Sequence, residues 1–139
     1  MKFLALLATL AIAPAAPTTF ASCSGDHHGT YLEFKKGSDG KFFVETSNDS
    51  DEPALRYDFT SIKKNGVLLA PSAYSWAIRQ AIRGPTNPEG YGMLVIKATS
   101  AQGDQMVINL NKYTNDSHIL MVNDYMEVLA CPVDRLVDG

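Results

Sequence analysis

The sequence carries none of the short motifs that commonly mark an enzyme. It has no Gly-rich phosphate loop, no nucleophile elbow, no paired Ser/His/Asp spacing and no pattern of His and Cys that would hold a metal ion. These absences argue against an enzyme of any family that such motifs define. We therefore expect a protein that uses no metal and no cofactor and acts through its surface.

Long apolar runs are also scarce, and the one that stands out lies at the N-terminus. Residues 3–13 follow a single lysine and form an apolar run that is too short to span a bilayer. This arrangement is typical of a secretory signal peptide. We predict cleavage after Ala21, because Thr19 and Ala21 are small, whereas cuts after Ala13 or Ala16 would leave a proline directly after the cut.

The predicted cut divides the chain into a signal peptide, residues 1–21, and one domain, residues 22–139. The length of the second part fits a single domain, and no second apolar run in it is long enough to hold the chain in a membrane. We expect a secreted, extracellular monomer without a membrane span.

Cysteine is rare, and its placement is informative. The chain has two cysteines, Cys23 and Cys131, close to the two ends of the predicted domain. Disulfides persist along the secretory route, so we predict that these residues form one bridge. Closing a loop of about 100 residues is worth roughly 4–5 kcal/mol in the chain-entropy account, a large share of the stability of a small domain.

Positive charge is in slight deficit. The 12 Lys and Arg residues and 15 Asp and Glu residues give a formal net charge of −3. A mildly acidic protein has no general electrostatic attraction to nucleic acid or to anionic membranes, so such binding would need a local basic patch. Two N-glycosylation sequons begin at Asn48 and Asn115, each in a polar segment that would tolerate a glycan.

A single helix is predicted after the signal peptide, over residues 71–84. Pro71 suits a first helical turn, and Gly84 followed by Pro85 ends the segment. At about 100° per residue, five apolar or aromatic residues share one face. They are Tyr74, Ala77, Ile78, Ala81 and Ile82.

The opposite face of this helix is predicted to be a binding face. It carries Trp76, Arg79, Gln80 and Arg83, with the tryptophan within about 60° of each of the other three on the helical wheel. An aromatic ring beside guanidinium groups is enriched in binding hot spots. The alternative is that N-terminal strands cover this face and make Trp76 a core residue, because a lone tryptophan is usually well buried.

Strand patterns occupy most of the remaining chain. Residues 31–36 and 41–46 flank a Gly-rich loop and predict a hairpin, and residues 54–60 alternate with Leu55 predicted to point inward. Four strands follow the helix with short turns between them, which predicts an antiparallel meander. The predicted fold class is α+β: one helix packed on a four-stranded antiparallel sheet, preceded by an N-terminal β-hairpin and strands.

This order of elements resembles the microbial ribonuclease fold of the ribonuclease T1 type. The resemblance rests on residues 66–71, which lead into the helix, and on residues 84–91, which precede the first strand after it. The chain is also similar to the ribonuclease-like effectors secreted by plant-pathogenic fungi, and more broadly to small secreted fungal proteins. It departs from the ribonuclease pattern in that the His and Glu constellation of that family is not recognisable.

The effector resemblance implies a secreted interaction protein, connected with virulence, that binds a host or cell-surface macromolecule without catalysis. The partner would be a protein, a glycan or RNA. One alternative is a ribonuclease-like hydrolase, for which His118 and Glu127 are the acid and base candidates. Another is a carrier that holds a small ligand in the interior between the sheet and the helix.

Overall fold

The computed structural model describes residues 16–25, 31–47, 53–83, 93–110, 117–122, 125–131 and 136–137. Within these ranges the chain forms nine strands and one short α-helix. The N-terminal strands are β1 (Thr18–Gly25), β2 (Tyr31–Lys36), β3 (Phe42–Ser47), β4 (Leu55–Lys64) and β5 (Val67–Leu68). After a 3₁₀ turn over Pro71–Ala73 come α1 (Tyr74–Arg83), β6 (Leu94–Ser100), β7 (Gln105–Leu110), β8 (Ser117–Val122) and β9 (Tyr125–Ala130).

All nine strands belong to one antiparallel sheet that closes on itself. Their order is β3-β2-β1-β9-β8-β7-β6-β4-β5, and β3 also pairs with β4. The additional pairing joins Phe43 to Asp58 and Thr46 to Leu55 and so connects the two ends of an eight-stranded ring. The short strand β5 lies outside the ring and pairs only with the end of β4 in the described structure.

The predicted α+β class is wrong, because the structure is mostly antiparallel sheet with a single ten-residue helix. The four strands after the helix do pair in succession. They form part of the nine-stranded sheet, however, and not a separate four-stranded layer beneath the helix. The physical reason is that the N-terminal strands join the C-terminal strands at two places, where β1 pairs with β9 and where β4 pairs with β6.

The predicted hairpin over residues 31–46 is confirmed. Six residue pairs connect β2 and β3, from Tyr31 opposite Ser47 to Lys36 opposite Phe42. In the loop, the backbone N–H of Lys41 donates to the carboxylate of Asp39 at 3.0 Å. Gly40 has φ of 83°, a conformation that glycine adopts without steric cost.

The aromatic core lies where α1 meets the first strands. Phe20, Phe34, Phe42, Phe59 and Tyr74 form an aromatic cluster, with ring centroids 5.5 Å apart for Phe42 and Tyr74 and 5.9 Å apart for Phe20 and Phe42. Such separations suit edge-to-face packing. The predicted apolar face of the helix is buried, as expected from its periodicity. Its five residues are Tyr74, Ala77, Ile78, Ala81 and Ile82.

The predicted disulfide is confirmed: Cys23 and Cys131 are bonded across a sequence separation of 108 residues, with Cα atoms 4.2 Å apart. Both cysteines are buried. The bridge lies directly beside the pairing of β1 with β9, which consists of two residue pairs, Ser24 with Ala130 and Gly25 with Leu129. The disulfide therefore reinforces a short ladder between the first and last strands.

One charged group stabilises the pairing of β2 with β3 on their solvent side. The ammonium group of Lys35 contacts the carboxylates of Glu45 and Glu33, and its distance to Glu33 is 3.7 Å. The hydrogen bond to Glu45, together with the negative charge of both carboxylates, raises the pKa of Lys35 although partial burial opposes this. The stabilisation is fully present at neutral pH and is lost as the pH rises through this raised pKa.

We expect Glu45→Gln to lower the free energy of unfolding by about 0.2–1 kcal/mol at neutral pH, the usual range for a partly exposed ion pair. Glu33→Gln is the control and should cost less, because Glu33 is farther from Lys35 and its side chain is 48% exposed against 28% for Glu45. Urea unfolding of both variants at low and high salt measures the difference. A larger loss for Glu33→Gln would contradict this account.

Candidate functional site

The outward face of α1 carries the residues that the sequence singled out for binding. Trp76 is 53% exposed, although the other face of the same helix is buried in the core. Arg83 is exposed, and Arg79 and Gln80 are half-buried. We call these four residues the Trp76 face. The structure brings them together as the helical period predicts, and Trp76 is a surface residue and not a core residue.

Two contacts hold Arg79 in place on this face. Its guanidinium donates to the backbone carbonyl of Val137 at 3.2 Å. The same group lies 6.0 Å from the ring centroid of Phe20, at the outer limit of a cation–π interaction. Arg79 therefore connects the helix to the first strand and to the C-terminal segment. A side chain held in this way loses less conformational entropy when a partner binds.

A second candidate site is a cleft of about 590 Å³ between the β2–β3 loop, β4 and the start of α1. Three members of the aromatic cluster, Phe42, Phe59 and Tyr74, line it. Its charged residues are Asp39, Lys41, Arg56 and Asp58.

Arg56 is anchored at the rim of this cleft. It donates from both Nε and Nη2 to one carboxylate oxygen of Asp58, at 3.0 and 2.9 Å. Its guanidinium also lies 3.8 Å from the ring centroid of Phe43, which is close enough for stacking. The rim is therefore polar and fixed, and the aromatic residues below it are apolar. This combination is common in sites for small molecules.

Comparison with protein-family models, with curated protein sequences and with solved structures finds no match to this chain. The two sites themselves are therefore the basis for a proposed function.

Neither the Trp76 face nor the described lining of the cleft includes the other predicted site residues. The sequon residues Asn48 and Asn115 lie outside the described residues. His118 lies in β8 and Glu127 in β9, where the register places His118 opposite Leu129 and Leu120 opposite Glu127.

Neither a metal centre nor a membrane-spanning helix is found in the part of the chain that the structure describes. No group of three or more His, Cys, Asp or Glu residues there could hold a metal ion. Across the same residues, no helix is long and apolar enough to cross a membrane. The disulfide is compatible with an oxidising compartment.

Sequence reasoning missed the cleft. Its residues come from the β2–β3 loop, β4 and the start of the helix, and no single stretch of sequence contains them together. The one available signal was the recurrence of aromatic residues near the ends of these elements. That signal is equally typical of a core, and here the same rings serve both the core and the cleft.

Proposed function

We propose that this protein is a secreted interaction protein of the effector type, which binds an acidic segment of a host or cell-surface protein through the Trp76 face. The observation that carries the proposal is the 53% exposure of Trp76 on the same helix face as Arg79 and Arg83. A large aromatic side chain that remains exposed beside cations is a common hot-spot arrangement. The protein would act by binding and not by catalysis.

The charge and chemistry of the Trp76 face support an acidic protein partner. The face carries two guanidinium groups and no acidic residue among its four members. Guanidinium groups form forked hydrogen bonds with carboxylates, and the indole ring offers apolar area for a neighbouring side chain. RNA phosphates can accept hydrogen bonds from the same guanidinium groups, so RNA binding is an outcome that the test below must exclude.

Replacing Trp76 by alanine should weaken binding by roughly 30-fold or more, the equivalent of about 2 kcal/mol, because the variant loses the aromatic side chain of the face. The free energy of unfolding of this variant should differ from that of the wild type by about 0.5 kcal/mol or less, since the side chain is exposed. Calorimetric titration with poly-glutamate as the acidic probe, and urea unfolding of the same samples, measure both effects.

Leu55→Ala provides a matched control for this variant. Leu55 is 54% exposed on β4, against 53% for Trp76, and it lies on a different element. We expect its affinity for poly-glutamate to remain that of the wild type. Equal losses in the two variants, or tight binding of a chitin oligosaccharide or of single-stranded RNA in place of poly-glutamate, would contradict an acidic protein partner.

Fluorescence offers an independent readout, because Trp76 is the sole tryptophan of the chain. We expect red-shifted emission that iodide quenches in the free protein and less strongly in the complex. RNA cleavage that disappears in His118→Ala would instead establish the hydrolase alternative and overturn a purely binding role.

The cleft supports a second candidate function, the binding of a small aromatic molecule. Its volume falls within the range of small-molecule sites, and Phe42, Phe59 and Tyr74 offer ring faces or edges for stacking. The probe anilinonaphthalene sulfonate should bind here and gain fluorescence. Thr60→Phe, which fills the cleft, should abolish the gain, whereas Leu55→Phe on the same strand should not. Equal probe binding in both variants would reject this site.

A further inference from the structure

The first strand of the sheet includes residues that the sequence assigned to the signal peptide. β1 begins at Thr18, so the predicted cut after Ala21 falls inside it. Phe20 is 4% exposed and Ala21 is fully buried, and both belong to the hydrophobic core. A residue that packs in the core of the folded domain is a poor candidate for removal before folding.

The contacts of Phe20 show what a cut after Ala21 would remove. Its ring centroid lies 6.4 Å from that of Phe34 and 5.9 Å from that of Phe42. Its backbone carbonyl accepts a hydrogen bond from Val137 at 3.0 Å, which attaches the C-terminal segment to β1. Loss of this residue would leave a cavity beside two buried rings and would release that segment.

The pairing of β1 with β2 would also be halved. Six residue pairs connect these strands, and three of them involve Thr18, Thr19 or Ala21. Thr19 additionally donates a hydrogen bond to Glu33 at 3.2 Å. Since β1 joins β2 to β9, a shortened β1 would weaken the ring at the point where its N-terminal and C-terminal strands meet.

The sequence offers another processing site upstream of this strand. Ala13, Pro14 and Ala15 form the small-x-small pattern that precedes a signal-peptide cut, and they begin at the last residue of the apolar run of residues 3–13. A cut after Ala15 leaves Ala16, and not a proline, at the new N-terminus. This site therefore avoids the objection that applies to cuts after Ala13 and Ala16.

We infer that a signal peptidase removes residues 1–15 and that residues 16–21 are a structural part of the mature domain. Water is added across the peptide bond between Ala15 and Ala16, which leaves a carboxyl group on Ala15 and an amino group on Ala16. The inference rests on the proposal that the protein is secreted, and it goes beyond that proposal by assigning the processing site.

The test is N-terminal sequencing of the protein that yeast secretes from the full-length gene. We expect a secreted chain that begins at Ala16. A secreted chain that begins at Ser22 would overturn the processing site and leave the proposal of secretion intact. A chain that stays inside the cell and begins at Met1 would overturn both.

Two substitutions with the same new side chain separate the two sites. Ala15→Gln places a large residue directly before the inferred cut and should abolish processing to Ala16. Thr19→Gln places the same residue at the third position before the alternative cut and should leave the Ala16 terminus unchanged. The reverse pattern, with processing lost in Thr19→Gln alone, would overturn the assignment.

Discussion

Replacing Cys131 by serine is expected to lower the free energy of unfolding by about 4–5 kcal/mol. The bond closes a loop of 108 residues, so its loss frees nearly the whole domain in the unfolded state. In the folded state the substitution lies beside the two-pair ladder between β1 and β9. Urea unfolding of the variant and of the wild type measures the effect.

Cys23→Ser and the double variant should reproduce this loss, because each change removes the same bond. Reduction of the wild-type protein should lower its stability to the same level. Hydrogen exchange should show faster opening at Ser24 and Gly25 in all three cases, since these residues form the weakened ladder. A loss below about 1 kcal/mol would show that the ring closes without help from the bridge.

Replacing Phe34 by alanine should lower the free energy of unfolding by about 3–5 kcal/mol. Phe34 is fully buried in β2, with its ring centroid 6.4 Å from that of Phe20 and 6.3 Å from that of Phe59. Its removal leaves a cavity that these rings cannot fill without leaving their positions. Thermal and urea unfolding measure the loss.

Tyr31→Thr is the matched control for Phe34→Ala. Tyr31 lies on the same strand but is 46% exposed, and threonine retains a high preference for strands. We expect its free energy of unfolding to change by about 0.5 kcal/mol or less. Equal losses for the two variants would mean that the strand itself, and not the aromatic cluster, carries the stability of this region.

The features that the sequence predicted correctly have local signals. The buried face of α1 follows from a spacing repeated within ten residues, and the β2–β3 hairpin follows from two alternating runs around a Gly-rich loop. The turn between β4 and β5 belongs to the same class, because Asn65 and Gly66 both have positive φ. Each of these features is decided by residues that are neighbours in the chain.

The closure of the sheet depends on distant residues and was not predicted. The helix separates β4 from β6, and nothing near either strand indicates that Ile62 pairs with Ile96 and not with a residue of another strand. The burial of Leu55 also depends on distant strands. It was predicted to point inward but is 54% exposed, although Tyr57 two residues later is buried. Alternation identifies the two faces of a strand, but the neighbours of that strand decide which positions are covered.

At the candidate site, local sequence patterns predicted the helix face on which Trp76 lies but not its exposure. Helical periodicity placed it opposite the apolar face, and this placement is correct. Whether another layer covers that face depended on the course of the N-terminal strands. Because these strands continue the sheet around the ring, they do not form a second layer over the helix, and the indole remains exposed.

The ring of strands also bears on how this protein would behave at high concentration. A sheet with two open edges offers unpaired backbone groups that strands of another molecule can extend, which is a common route to aggregation. In the described part of this chain, pairing of β3 with β4 joins the two ends of the ring and leaves β5, two residues long, as the edge outside it. Pairing within one molecule thus leaves fewer open strand edges, in the described part of the chain, than a flat sheet of the same strands would have.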